Sequence, residues 1–181
     1  MADMTTAPDR IETARLAAER LQRGHYDWIY ALHQDAKVMA TLGGLRSADE
    51  TRRYLETNMA HWERHGFGLW ILRDQESGHF VGRAGLRRME LEGVEEIELA
   101  YALAGGYWGR GLATEFGQAA LEVAFEFLDI SELVCFAVVD NRASFRVMEK
   151  LGFTDPRPLD YQGTPCVLYR LRKADWQSTL T

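Results

Sequence analysis

Between Glu96 and Val139 the apolar pattern changes period three times, and that order leaves few folds open. "EIELAYAL" alternates as a strand does, and "GGYWGRG", Gly105 to Gly111, then holds four glycines and two large aromatics. "ATEFGQAALEVAFEFL" carries Phe116, Ala120, Leu121, Ala124 and Leu128 along one helical face. "LVCFAVV" is a continuous apolar run with β-branched residues, the profile of a strand covered on both sides. "NRASFRVMEKLGF" follows as a short helix capped by Asn141 and stopped by Gly152, and "PCVLYRLRK" reads as a final strand.

Upstream, "FGLWILRD", "HFVGRAGLRRME" and "EIELAYAL" are separated by the turns "DQESG" and "LEGVE", the pattern of antiparallel hairpins. Ser47 heads "ADETRRYLETNMAHWERHG", with Glu50 completing a capping box and Gly66 as the stop. Tyr54, Leu55, Met59 and Trp62 supply that helix's buried stripe. Trp28, Ile29, Leu32 and Ala36 recur at helical spacing, whereas "IETARLAAERLQ" fits a strand or a helix. Residues 1–10 read as a frayed, flexible tail, leaving one domain over residues 11–181. The fold class is α/β: a meander leading into a β–α–β–α–β unit.

The 181 residues carry a formal net charge of −6, which argues against a general nucleic-acid binder. That charge would suit a cationic amine, and it equally suits plain solubility. Cys135 and Cys166 fit no metal spacing and read as small core residues in a reducing compartment. No basic-then-apolar leader opens the sequence, and no apolar run approaches the ~20 residues that span a bilayer, so a cytoplasmic protein without membrane contact is expected.

Two motifs mislead. "HWERH" sets His61 and His65 on one helical face as zinc helices do, but the acid is Glu63, about 200° around the helix from His61, with no third ligand nearby. "GYWGRGLA" has the glycine spacing of a nucleotide phosphate loop, but Leu112 and Ala113 stand where Lys and Ser or Thr belong. No metal is expected. What survives is a strand feeding a glycine turn that opens a helix near Leu112. The first amides of a helix lack internal partners, and the macrodipole favours an anion there. Gly109, Gly111 and Ala113 would let a phosphate approach those amides, and Arg110 adds charge; a plain tight turn would use the same glycines.

The ordered set of strand, "YWGRGLATE", helix, apolar strand and "DNRASFRVMEKLGF" resembles the GNAT superfamily of acyl-CoA-dependent N-acyltransferases. Within it, "YWGRGLATE", "DAKVMATLGG" and "EKLGF" are similar to the branch of ribosomal-protein N-terminal acetyltransferases. The resemblance implies a mixed, mostly antiparallel sheet, splayed in the middle and flanked by helices, with acetyl-CoA as co-substrate. It puts the pyrophosphate on the loop Trp108, Gly109, Arg110, Gly111, Leu112, Ala113 and Thr114, with Trp108 where the family pattern has Arg or Gln. The pantetheine arm then falls to backbone groups of Ala100, Tyr101, Ala102 and Leu103, and to Asn141.

Acyl transfer to an amine needs a base for the amine, stabilisation of the oxyanion and a proton for the leaving thiolate. Glu98 is the candidate base; by alternation it faces away from Ile97, Leu99 and Tyr101, although a solvated strand glutamate would look the same. Many family members carry a tyrosine seven residues after the asparagine, but here that position is Met148, which donates no proton. Ser144 is the substitute acid, with a helix-start serine bonding its own backbone as the plain reading. The implied function is acetylation of a primary amine, the sharper expectation being a peptide or protein α-amine. A small-molecule amine and a non-catalytic CoA sensor are the alternatives. The acidic stretch "MELEGVEEIE" would attract a cation or simply form a solvated turn, and a homodimer is left open.

Overall fold

The ambiguous stretch after residue 10 is a hairpin of β1 (Arg10–Glu12) and β2 (Leu16–Arg20) in the computed structural model, which describes residues 5–179. Helices α1 (Tyr26–His33), α2 (Ala36–Met39) and α3 (Ala48–His65) follow. Next come β3 (Leu69–Asp74), β4 (Phe80–Leu91) and β5 (Val94–Leu103). Helix α4 (Leu112–Glu122) widens at its end into a turn over Val123–Phe127 and leads to β6 (Glu132–Val138). Then α5 (Arg142–Lys150), β7 (Thr154–Tyr161), β8 (Thr164–Arg172) and α6 (Lys173–Ser178) complete the chain.

Among the described residues eight strands form one sheet in the order β1-β2-β3-β4-β5-β6-β8-β7. Every neighbouring pair is antiparallel except β5 and β6, which are parallel and joined at one position, Glu98 beside Val134. Past Glu98 no further pair joins these two strands among the described residues, so the sheet opens in its middle. The β6 side of Leu99 to Leu103 therefore presents backbone donors and acceptors to whatever occupies the gap.

Alternation along β5 decides which face each residue serves. Ala100 packs with Ile29 and Leu55 of α1 and α3, and Ala102 with Leu32, Val38 and Met39. Leu99, Tyr101 and Leu103 turn to the other face, against a core that includes Phe116 and Ala120 of α4 and Met148 of α5. Glu98 shares the face of Ala100. Helix α3 forms as its caps dictate: Ser47 Oγ accepts from the Glu50 amide, Glu50 accepts from the Ser47 amide at 2.7 Å, and Gly66 closes the helix at φ 72°. Burying Leu55 in that stripe contributes about 1.5–3 kcal/mol.

The expected tail is shorter than residues 1–10. Ala7 is buried and its amide donates to Gly66 O at 2.7 Å, while Trp70 Nε1 donates to Pro8 O at 3.0 Å. Residues 1–4 lie outside the described residues. No helix among those described is long and apolar enough to cross a membrane. Strand β7 was not legible in the sequence, because Pro156 and Pro158 argue against a strand; as the edge strand beside β8 it tolerates them.

Candidate active site

The glycine loop runs directly from the open end of β5 into α4. Gly109 and Gly111 sit at φ 70° and 77°, left-handed values that glycine adopts without penalty. Gly111 is the N-cap of α4 and offers no side chain, and the first amide with an intrahelical partner is that of Glu115, bonded to Gly111 O at 3.0 Å. The amides of Leu112, Ala113 and Thr114 thus remain uncapped at an eleven-residue helix's positive end. Arg110 is exposed, its guanidinium 5.3 Å from the Tyr107 ring centre. Trp108, the departure from the family pattern, donates its indole N–H to Leu103 O at 2.8 Å, tying the loop back to the strand it leaves.

A clamp fixes the loop from outside, and sequence reading missed it. Glu115 accepts from the Thr13 hydroxyl at 2.6 Å, the Arg15 amide at 2.8 Å and Arg15 Nε at 2.6 Å, while Arg15 Nη1 donates to Arg110 O at 2.9 Å. Burial works against ionising Glu115, but the Thr13 and Arg15 bonds outweigh it and hold the carboxyl below its usual 4.5. A lowered carboxyl value means stability that is present above pH 4.5 and lost as pH falls through the folded value. Glu115→Gln is therefore expected to flatten the acid side of the stability curve, measured as urea midpoints from pH 6 down to pH 3. An unchanged acid limb would show that the clamp contributes nothing to stability.

On the α4–α5 face, Tyr101 meets the start of α5. Its hydroxyl lies 2.8 Å from Ser144 Oγ and 3.2 Å from Ser144 O. Asn141 caps the helix, its Oδ1 accepting from the Ser144 amide at 3.1 Å. Ser144 Oγ is accordingly turned to Tyr101, and the self-bonded serine of the plain reading is absent. Burial pushes the Tyr101 phenol well above its ordinary value, so it stays protonated. Cys135 Sγ, 4.0 Å from the same hydroxyl, is also pushed up by burial and remains a thiol. Met148 is fully buried in the core.

On the opposite face Glu98 is 5% exposed, and both its bonds to Arg87 of β4, 3.1 Å from Nε and 2.6 Å from Nη2, fall on Oε2. Burial would lower the Arg87 value, but the Glu98 charge and hydrogen bond raise it on balance. Glu98 and Ser144 thus stand on opposite faces of the sheet, beside the one gap that connects those faces. Arg87 also lines a cleft of about 570 Å³ between α3 and β4, whose walls hold four arginines and one glutamate. A smaller hollow of about 270 Å³ at Tyr26, Leu55 and Met59 includes no residue of β5 or the glycine loop.

His61 is structural: its ring bonds Phe67 O at 2.8 Å through Nδ1, while Nε2 accepts from the Arg88 amide at 2.8 Å. No group of three potential metal ligands occurs among the described residues. In the acidic stretch Glu92, Glu95, Glu96 and Glu98 are paired with Arg157, Arg88, Arg170 and Arg87, and Glu90 is exposed to solvent. Trp62 and Trp70 are core residues, their rings 5.0 Å apart. Trp28 is half-buried and stacks between His25 and Phe80.

A family model described as an acetyltransferase (GNAT) domain matches residues 15–154. The Bacillus subtilis protein YkkB is 29% identical over 76% of this chain and 80% of its own length. An acetyltransferase from Agrobacterium tumefaciens superimposes with TM-score 0.79 at 25% identity, covering 95% of this chain and 99% of that one. RimL, a ribosomal L7/L12 α-N-protein acetyltransferase solved with coenzyme A, gives TM-score 0.74 at 19% identity over 90% and 97% of the two chains. Together with the split sheet and the glycine loop, the family match identifies the chain as a GNAT-family member, an acetyltransferase that uses acetyl-CoA.

Proposed function

We propose that this protein acetylates a primary amine by direct attack on acetyl-CoA, and that the amine is the α-amine of a peptide or protein. The observation that carries the acyl-donor side is the uncapped start of α4 placed at the open end of β5. The amides of Leu112, Ala113 and Thr114 and the charge of Arg110 suit a pyrophosphate, and the edge Ala100 to Leu103, whose last carbonyl is taken by the Trp108 indole, suits an amide-bearing arm with its remaining groups. Bound there, acetyl-CoA supplies an activated acetyl thioester. The peptide reading rests on the likeness of "YWGRGLATE" and "EKLGF" to the N-terminal acetyltransferase branch, to which RimL, a ribosomal L7/L12 α-N-protein acetyltransferase, belongs.

The chain's own groups divide the proton work between the two faces of the sheet. Glu98, fixed by Arg87, accepts the amine's proton directly or through a water on the α3 face. Ser144 offers its hydroxyl hydrogen to the leaving sulfur on the α5 face, which departs as the CoA thiol once it gains a proton that the amine has released, and Tyr101, kept protonated by burial, orients the Ser144 hydroxyl. Asn141 holds the helix start that carries Ser144. Tyr101→Phe is expected to lower kcat about tenfold with little change in the KM for acetyl-CoA; an unaltered kcat would remove Tyr101 from any part in the transfer, and an unaltered kcat in Ser144→Ala would remove Ser144. Release of free thiol from acetyl-CoA across N-terminal peptides, polyamines and aminoglycosides tests the acceptor. Turnover confined to the polyamines or aminoglycosides would overturn the peptide reading.

A further inference from the structure

Arg83 on β4 is 5% exposed, and among the described residues it makes no hydrogen bond and no ion pair; its Nε is buried without a partner. Arg73 and Arg88 also have a partnerless Nε, but each lies beside a glutamate, Glu19 and Glu95. An isolated buried cation costs several kcal/mol by order of magnitude, so a fold keeps one only where something offsets it. Burial pulls the Arg83 value below the arginine norm, and the charges of Arg87 and Arg46 add to that, while Tyr54 and the more distant Glu98 offset only part of it.

Its surroundings point the same way. The Arg83 guanidinium is 5.8 Å from the centre of the Tyr54 ring, and that of Arg46 is 4.8 Å from the same ring. The Tyr54 hydroxyl is likewise buried with no partner. Arg46 touches His33 Nε2 at 3.2 Å, but burial drops His33 to about 4 and leaves it neutral, so it supplies no charge. The carboxylates nearby are committed: Glu98 to Arg87, and Glu50 to capping the Ser47 amide. Two guanidiniums therefore lie against one phenol ring whose hydroxyl is unpaired, and Arg46 and Tyr54 line the arginine-rich cleft with Arg83 packed behind them, in a protein whose net charge is −6.

We propose that Arg83, Arg46 and the Tyr54 hydroxyl form an anion subsite of the acceptor cleft, so that the amine acetylated here carries a carboxylate. A planar carboxylate matches the guanidinium fork and accepts a hydrogen bond from the phenol as well. This rests on the acetyl-transfer reading with Glu98 at the acceptor side. Arg83 and Arg87 share a strand face four residues apart, opposite Ala102 and Glu98. That separates their Cα atoms by about 13 Å. A carboxylate several bonds from the amine fits that span, whether it belongs to an acidic side chain near a peptide's start or to a small amino acid.

Two acceptor pairs separate those sources. One is a C-terminally amidated tripeptide with Glu or Gln at its second position; the other is γ-aminobutyrate against its amide. The wild-type protein is expected to favour the acidic member of at least one pair by about tenfold in kcat/KM, the worth of a charge-assisted hydrogen bond. Arg83→Met should bring that ratio to about one without lowering the Tm, since it removes an unpaired buried charge. Arg46→Met, at a half-buried position, carries the same expectation should Arg83→Met fail to fold. A wild-type ratio near one in both pairs, or a ratio unmoved in the variants, overturns the subsite. If no amine is acetylated, the acetyl-transfer reading fails, and calorimetry with γ-aminobutyrate and the acidic tripeptide in the presence of CoA decides the subsite. Binding lost in Arg83→Met supports it, and no binding to the wild type overturns it.

Discussion

Gly111→Glu is expected to abolish the thermal stabilisation that acetyl-CoA gives the wild-type protein. At a ligand concentration 100 times Kd, binding to the native state alone stabilises by about 2.7 kcal/mol. For a chain of this size that is a Tm rise of about 5–10 °C. In the variant a carboxylate stands at the N-cap of α4, where the uncapped amides of Leu112, Ala113 and Thr114 would otherwise meet a phosphate. The substitution carries a second effect, because φ 77° costs a side-chain-bearing residue about 1–2 kcal/mol in the ligand-free protein. A Cβ at this position would lie 3.6 Å from Arg15 Nη2, an ordinary contact, so space is not the obstacle. Gly111→Asn separates charge from strain, since asparagine tolerates the left-handed region and brings no charge. The asparagine variant should keep most of the shift and the glutamate variant none. A wild-type shift in Gly111→Glu would remove the pyrophosphate from this loop.

Glu98→Gln is expected to act on rate and on stability together. As the base for the amine, Glu98 should account for about a 10²–10⁴-fold effect on kcat, largest at low pH where the amine holds its proton most firmly. Its loss also leaves the Arg87 guanidinium facing a neutral amide. Breaking a fully buried pair costs about 3–5 kcal/mol, and with the Arg87 side chain 25% exposed the cost here is nearer to about 2 kcal/mol. The two effects are measured apart, as a pH–rate profile on folded protein and as a urea midpoint. A lowered midpoint with an unaltered profile would make Glu98 a structural anchor for Arg87 and no base.

Much of the architecture was legible because local signals agreed with tertiary packing. The Ser47–Glu50 box, the Gly66 stop and the start of α4 at Leu112 stand where the sequence placed them. Elements that packing imposes were harder to read: β7 with its two prolines, and β1 and β2, whose alternation "IETARLAAERLQ" blurs. The candidate site divides in the same way. Glycines at left-handed positions announce themselves, because few other residues serve there. The partners of Ser144, Glu115 and Glu98 come from other elements, 43 residues away in the case of Tyr101 and 100 in that of Arg15. One signal was available and unused. Tyr101 alternates onto an apolar face, and a phenol buried there must find a polar partner. The isolation of Arg83 had no such signal, since nothing in a sequence marks a charge that the fold will leave unpaired.

The single pair joining β5 to β6 has one more consequence. A sheet edge is ordinarily a hazard at a protein's rim, where a strand from another molecule can add to it. Here two facing edges lie in the interior, and neither offers a flat rim for a foreign strand to extend. On the proposed reading the slot between them takes one extended arm that exchanges hydrogen bonds with main-chain groups, and main-chain groups are the same whatever side chains surround them. Mutations can therefore remodel the acceptor cleft and its arginines while the slot keeps the same guest, which leaves the choice of amine free to change independently of the acyl donor.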